Sequence, residues 1–368
     1  MFRKTLILLV LFMLTIASGA DAANSARAAA TGQANHNANA CTPAQGQSLI
    51  DQGQYEDAIL VFTCLIDAQP TEVEGYPGRI EAEVLLGRYS DGVRDYQRVM
   101  AFVLPVHPDA EATIMAGYDA RLAVEPDDVR ALTGASFARW WFYHYASAIH
   151  MLNHLLDLRP NDVYGNLFRG SSRFLLGATK AKGAEDLERA LTLAPQSAHV
   201  RFIVADAYTY GQPDLPRAFV EASLALAWGL DTPRVHAILA ACYLSFGNLQ
   251  AAAAEIRKHI ELATTEYLPA ASLSAGGSLE LGLVPGRTYE IPIAVIVGET
   301  ISIRTSSRDF KDTIMVLLAP DGTPVVGNDD FKAYYAGFDW VAASTGTYRL
   351  QVTSFESVST GMFVVTRN

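Results

Sequence analysis

The chain has 368 residues, 50 % of them hydrophobic and only 18 % charged, with a formal net charge of −11. That length calls for more than one domain, and that composition supplies a real core. No basic run or stripe appears, so nucleic acid is not an expected partner, and the acidic balance bears on solubility rather than on fold.

At the start, Arg3 and Lys4 precede an apolar run of 11 residues from Leu6 to Ile16, and Ala20-Asp21-Ala22 follows as a small-x-small sequence. This order predicts a signal peptide over residues 1–22, cleaved after Ala22. The competing reading, an uncleaved anchor, needs a longer apolar run than this. No cysteine sits at the cleavage point to carry a lipid, and no later stretch is long and apolar enough for a transmembrane helix. The expected location is periplasmic or extracellular. Residues 23–40, rich in Ala, Asn, Ser and Gly without large apolar side chains, read as a disordered leader.

Helices begin at Thr42-Pro43, an N-cap followed by proline at the first helical position. Helical pairs are predicted near 43–53 and 56–68, 76–87 and 90–103, 128–142 and 145–157, 162–176 and 181–193, 197–210 and 216–228, and 233–246 and 249–264. An additional helix near 109–124 breaks the beat, because Gly87 to the equivalent Tyr143 is 56 residues (143−87). Nothing in the sequence accounts for it. The pairs share a signature: Gly53-Gln54-Tyr55-Glu56-Asp57-Ala58, then Phe62, Leu65 and Pro70. Parts of it return at Gly87-Arg88-Tyr89, Gly177, Gly211 and Gly247-Asn248-Leu249 with Ala252. The spacings are 34 (87−53), 34 (211−177) and 36 (247−211), and Pro126, Pro160 and Pro195 lie 34 and 35 apart. Over residues 41–265 this resembles the tetratricopeptide repeat, which implies an all-α solenoid and a binding surface but not a particular ligand.

In that family the first helix of each pair lines a concave groove. The register then places Arg130, Phe137, Trp140, Trp141, Tyr164, Ser171, Phe174, Arg201, Tyr208 and Arg234 on the inner face, and mixed aromatics and arginines are the composition of binding hot spots. The alternative is helix–helix core at the same spacing. Trp140-Trp141-Phe142-Tyr143 spans more than one face, so at least one of the four should be exposed. The family's chaperone-tail clamp needs Lys and Asn in the first repeats; Pro43 and Gln47 stand there, so that activity is not implied. Export together with antiparallel pairing of the first two helices predicts a disulfide between Cys41 and Cys64, leaving Cys242 a buried free thiol.

Residues 266–277 change composition and read as a linker. Beyond it the period becomes 2: Tyr289, Ile291 and Ile293 alternate with other residues, as do Ile301 and Ile303, and Tyr348, Leu350 and Val352. Thr313 to Leu318 is apolar on both faces, as in a central strand. Turns are marked at Pro285-Gly286, Asp321-Gly322 and Thr345-Gly346. The expected fold of 278–368 is an antiparallel β-sandwich. The order Gly298-Glu299-Thr300-Ile301, Asp312-Thr313-Ile314, Pro320-Asp321-Gly322, Asn328-Asp329-Asp330, Gly346-Thr347-Tyr348 and Gly361 resembles the bacterial pre-peptidase C-terminal domain, a jelly-roll-like module of exported proteins. That resemblance implies an accessory or binding module outside the cytoplasm; no peptidase domain is recognisable for it to serve.

Candidate metal ligands are few. His144, His150 and His154 lie close, but His-Glu-x-x-His is absent, and two histidines on a repeat helix is the plainer reading. Asp312, Asp321, Asp329 and Asp330, with Asn328, offer calcium-type oxygens without EF-hand spacing, and turns favour the same residues. No Ser/His/Asp arrangement, Gly-x-Ser-x-Gly, P-loop or dinucleotide fingerprint is present. The sequence thus predicts a tetratricopeptide-type solenoid followed by a jelly-roll-like sandwich. The expected function is an exported, non-enzymatic protein-binding scaffold without cofactor, calcium excepted. The alternatives are an envelope or carbohydrate binder acting through the sandwich, or an accessory subunit of an exported enzyme.

Overall fold

The computed structural model describes residues 41–177, 179–211, 213–307, 312–329, 335–355 and 361–368. The predicted signal and leader, and Asp330, lie outside them. Thirteen α-helices are described: α1 (Pro43–Asp51), α2 (Tyr55–Ala68), α3 (Gly75–Leu85), α4 (Tyr89–Arg98), α5 (Ala110–Val124), α6 (Val129–Trp141), α7 (Tyr145–Leu158), α8 (Val163–Leu176), α9 (Lys180–Leu193), α10 (Ala198–Asp206), α11 (Leu215–Ala227), α12 (Pro233–Ser245) and α13 (Leu249–Ala263). Short π-helical segments extend α4 over Val99–Val103 and α10 over Ala207–Gly211. The helices form a tetratricopeptide-type solenoid.

Local chemistry sets its rhythm. Thr42, Asp128, Asp162, Ser197 and Thr232 each accept a backbone N–H of the helix that follows, satisfying donors that have no partner inside the helix. From Asp128 onward these caps recur every 34 or 35 residues (162−128, 197−162, 232−197). At the other end, Gly53, Gly87, Gly177 and Gly247 reverse the chain at φ of 73–76°, where glycine carries no Cβ penalty. Tyr143 occupies the same conformation at φ 65°. Gly211 does not; it closes the π-helical turn, and a Cβ there would lie 2.9 Å from that of Phe174.

Strands follow as β1 (Glu266–Pro269), β2 (Ser278–Leu283), β3 (Arg287–Val295), β4 (Thr300–Ser306), β5 (Thr313–Leu318), β6 (Pro324–Asn328), β7 (Gly337–Val341), β8 (Gly346–Ser354) and β9 (Gly361–Arg367). They build two sheets of order β1-β3-β8-β5-β6 and β2-β9-β4-β7. The antiparallel pairs nest as β2 with β9, β3 with β8, β4 with β7 and β5 with β6, which is the strand order of a jelly roll. Ile291, Ile293, Ile301, Ile303, Leu350, Val352, Phe363 and Val365 meet between the sheets. The expected linker is a different object. Its first four residues form β1, pairing in parallel with β3, and Leu273 is buried in the sandwich core. Pro269 fits because β1 is an edge strand.

The sandwich is docked on the helices rather than tethered to them. Helix α13 lies on β5 and β6, and Ala237, Ala240, Ala253, Ile256 and Ile260 form one buried cluster with Ile314, Val316, Leu318 and Phe355. This explains why β5 is buried along its whole length: Met315 and Leu317 enter the sandwich core while Ile314, Val316 and Leu318 face α13. Each large aliphatic so buried is worth about 1.5–3 kcal/mol relative to exposure.

Candidate functional site: the inner face and the domain junction

Helix α4 decides what the inner face can do. It leaves the ordinary path and packs on three successive first helices. Tyr96 contacts Phe137 and Trp141 of α6 with ring centroids 5.7 and 6.0 Å apart, and Tyr89 contacts Tyr164 and Phe168 of α8 at 5.9 and 5.3 Å. On α10, the Ser90 hydroxyl donates to Nδ1 of His199 at 2.8 Å, and the Ser90 N–H points at the same nitrogen at 3.4 Å. Gly92 permits the approach, since a Cβ there would fall 2.8 Å from the Phe137 ring. On the opposite side Arg79 of α3 donates to both carboxylate oxygens of Asp95, at 2.5 and 2.7 Å, and to Thr63 at 3.1 Å. Helix α5 then fills the space between α3 and α6, running antiparallel to α6: Glu111 meets His144 at one end, and Arg121 meets Asp128 at the other and Glu81 of α3. The additional helix expected near 109–124 is α5 (Ala110–Val124), and it accounts for the broken beat.

The inner-face expectation is corrected accordingly. Phe137, Trp140, Trp141, Tyr164, Ser171, Phe174 and Tyr208 are buried. Trp140 donates its indole N–H to Ser171 at 3.0 Å, and the Tyr164 hydroxyl donates to the Thr133 carbonyl at 3.0 Å, so the polar atoms of these two are spent inside, while the Trp141 indole nitrogen is buried without a hydrogen-bond partner. The arginines are engaged as well. Arg130 pairs with Asp51 at 2.8 Å. Arg201 pairs with Glu221, donates to the Pro195 carbonyl and stacks on Trp228. Arg234 pairs with Asp206 at 2.8 Å and lies over Tyr210. Helical spacing is the same for core and groove; α4 covers Phe137, Trp141 and Tyr164, while Phe174 and Tyr208 bury against each other beside Gly183 of α9 and Arg217 of α11. Of the aromatic run, Tyr143 is the exposed member.

The metal candidates are placed apart. His144 and His154 bond Glu111 and Asp127 at 2.9 and 2.7 Å, bracing the α5 region, while His150 is exposed. Asp321 accepts the Thr323 N–H within its turn, and Asn328 donates to the Gly337 carbonyl to join β6 to β7. Among the described residues no group of three His, Cys, Asp or Glu could hold a metal ion. Cys41 and Cys64 form a disulfide, and Cys242 is buried, its thiol pushed up to about 12 by desolvation.

The open recess lies elsewhere. A cavity of about 480 Å³ sits where α4, α10, the start of α12, α13 and the β2–β3 turn converge. Arg94, Arg98 and Arg234 line it beside Phe102, Phe202 and Leu262, with His259 and Phe355 at its domain seam. Sequence reasoning missed these α4 residues because it placed 90–103 as an ordinary second helix. One signal was available: Tyr89, Val93 and Tyr96 mark one apolar stripe, while Arg94 and Arg98 mark another side.

No protein-family model matches the chain. Among curated proteins, the Protein CTR9 homolog of Arabidopsis thaliana is 23 % identical over 200 residues, which is 50 % of this chain; the chain spans 15 % of that protein's length. A tetratricopeptide repeat protein from Parabacteroides merdae superposes with a TM-score of 0.38 and 14 % identity, over 61 % of this chain and 78 % of its own. The pre-peptidase C-terminal domain of a collagenase from Bacillus anthracis superposes with a TM-score of 0.25 and 14 % identity, over 28 % of this chain and 100 % of its own. Among the described residues, no helix is long and apolar enough to cross a membrane.

Proposed function

We propose that this protein is an exported, non-enzymatic protein-binding scaffold whose partner engages the rim of the domain junction. A helical-repeat array is a platform for partners, and here α4 occupies the inner face that would otherwise receive one. What remains concave and open is the junction, where the exposed Phe102 and Leu262 stand beside Arg94 and Arg98. That recess is the observation that carries the reading: aromatic and arginine side chains around a partly apolar hollow are the makings of a hot spot. The Cys41–Cys64 bridge supports export, since disulfides persist in oxidising compartments. The sandwich, fixed to α13, would hold the array in one orientation.

Affinity capture from the native envelope with residues 23–368 tests this. A protein retained by the wild type and lost with Phe102→Ala/Arg98→Ala supports it. Retention unchanged in the double variant, or nothing retained above a blank matrix, overturns it. N-terminal sequencing of the exported protein should begin at Ala23; a retained Met1 removes the cleavage reading.

A further inference from the structure

We propose that the junction cavity binds a small amphiphilic carboxylate, its head on Arg98 and Arg94 and its apolar body against Phe102, Phe202 and Leu262. The cavity, about 480 Å³, falls in the range of small-molecule sites, which are mostly apolar with a few placed polar groups. Its charged lining is three guanidiniums, Arg94, Arg98 and Arg234, against one carboxylate, Asp231. Asp231 is itself bonded to His236 at 2.7 Å. Arg234 is committed to Asp206 at 2.8 Å and Arg94 is held by Asp91 at 3.0 Å, so the leading contact to a head group falls to Arg98.

Arg98 is the guanidinium with charge to spare. Its nearest acid, Asp95, stands 3.7 Å away and already receives both Arg79 hydrogen bonds. One carboxylate is therefore shared by two guanidiniums. Glu83, buried on α3, adds no second negative charge at neutral pH: burial, then the neighbouring Asp95 and Asp91, push its carboxyl up to about 9. The Arg98 and Arg94 side chains are 45 % and 54 % exposed, so a ligand can reach them without breaking the fold. A planar carboxylate suits a guanidinium fork. The hydrocarbon body replaces water on the apolar wall.

Decanoate titrated calorimetrically into purified residues 23–368 is the test, and it needs no protein partner; its failure leaves the scaffold reading standing, and loss of capture leaves this inference standing. Expected are saturable 1:1 binding, at least tenfold weaker binding of decanol, and at least tenfold weaker decanoate binding in Arg98→Gln, whose melting temperature should match the wild type. Phe102→Ser should weaken decanoate several-fold as a second variant. Equal affinity for decanol, unsaturable uptake, or indifference to both substitutions overturns the proposal. An acetylated tripeptide acid ending in Leu, tested beside decanoate, overturns the free-amphiphile assignment if it binds more than tenfold tighter.

Discussion

Replacing Tyr96 tests the covered inner face most directly. Its ring is fully buried among Phe137, Trp141 and Phe142, the last at 5.4 Å, and its hydroxyl is buried without a hydrogen-bond partner. Tyr96→Ala removes an aromatic from a closed core, a class of change that costs about 3–5 kcal/mol. Relief of the desolvated hydroxyl returns about 1 kcal/mol of that. The expected net loss is then roughly 3 kcal/mol. Tyr96→Phe keeps the ring contacts and discards only the hydroxyl, so it should stabilise by about 1 kcal/mol. Tyr143→Ala, on an exposed side chain, should change stability by no more than about 0.5 kcal/mol. Urea unfolding followed by tryptophan emission suits the question, because Trp140 and Trp141 lie at the covered interface. If Tyr96→Ala costs less than about 1 kcal/mol, or if Tyr96→Phe is the more damaging of the two, α4 does not seal the array and the reassignment of the inner-face residues to core is wrong.

Reducing the Cys41–Cys64 bridge, which spans a sequence separation of 23, should cost about 3 kcal/mol by loop entropy. The loss should appear as faster amide exchange in α1 and α2, which have one neighbour along the array; unchanged exchange after reduction speaks against it. Glu83 is raised from 4.5 to about 9 in the folded protein, so its favourable protonated state is fully available below pH 4.5 and is lost as pH rises toward 9. Glu83→Gln should therefore gain on the wild type between pH 5 and 9, by at most about 5 kcal/mol; parallel stability profiles would remove the claim.

The repeat was legible because glycine at a left-handed turn and an oxygen at an N-cap have few substitutes, and both recur at the period of the helical pair. The strands were legible because Tyr289 to Ile293 and Tyr348 to Val352 alternate. The path of α4 was not. Arg79 reaches Asp95 across 16 residues much as Arg169 reaches Asp186 across 17, so the link from α3 to α4 looks like any other pair in the array. The difference lies in what covers the far side of α4, and that is a contact with helices up to 109 positions away, as Ser90 to His199 shows. Long-range choices of this kind leave no local period. The site residues failed for the same reason: Phe137 and Trp140 have the spacing of a groove, and a groove becomes core once a helix lies in it. The 56-residue interval between Gly87 and Tyr143 gave away α5, but it left no trace of where α4 lies.

His259 ties the two domains, and its titration sets how the junction responds to acid. Its Nδ1 lies 2.8 Å from the Pro233 carbonyl of the array, its Nε2 lies 2.8 Å from the Phe355 carbonyl of the sandwich, and its ring stacks on Phe355. A neutral imidazole donates to only one of these acceptors, so the second carbonyl favours a proton. Burial opposes it more strongly, Arg234 and His236 add like charge, and the net effect lowers the group from 6.5 to about 4. His236 shows the contrast. There burial is outweighed by Glu255 and Asp231, at 2.6 and 2.7 Å, and the ring is raised; carboxylates can do what carbonyls cannot. The sign for His259 follows. A base depressed on folding contributes its stability above pH 6.5 and loses it as pH falls toward 4, at most about 3 kcal/mol. His259→Gln keeps a donor for one carbonyl without titrating, so its loss of stability between pH 7 and 4.5 should be smaller than that of the wild type. A ring proton signal from His259 titrating at or above 6.5 would reverse the conclusion: the two carbonyls would then outweigh burial, and acid would tighten the junction.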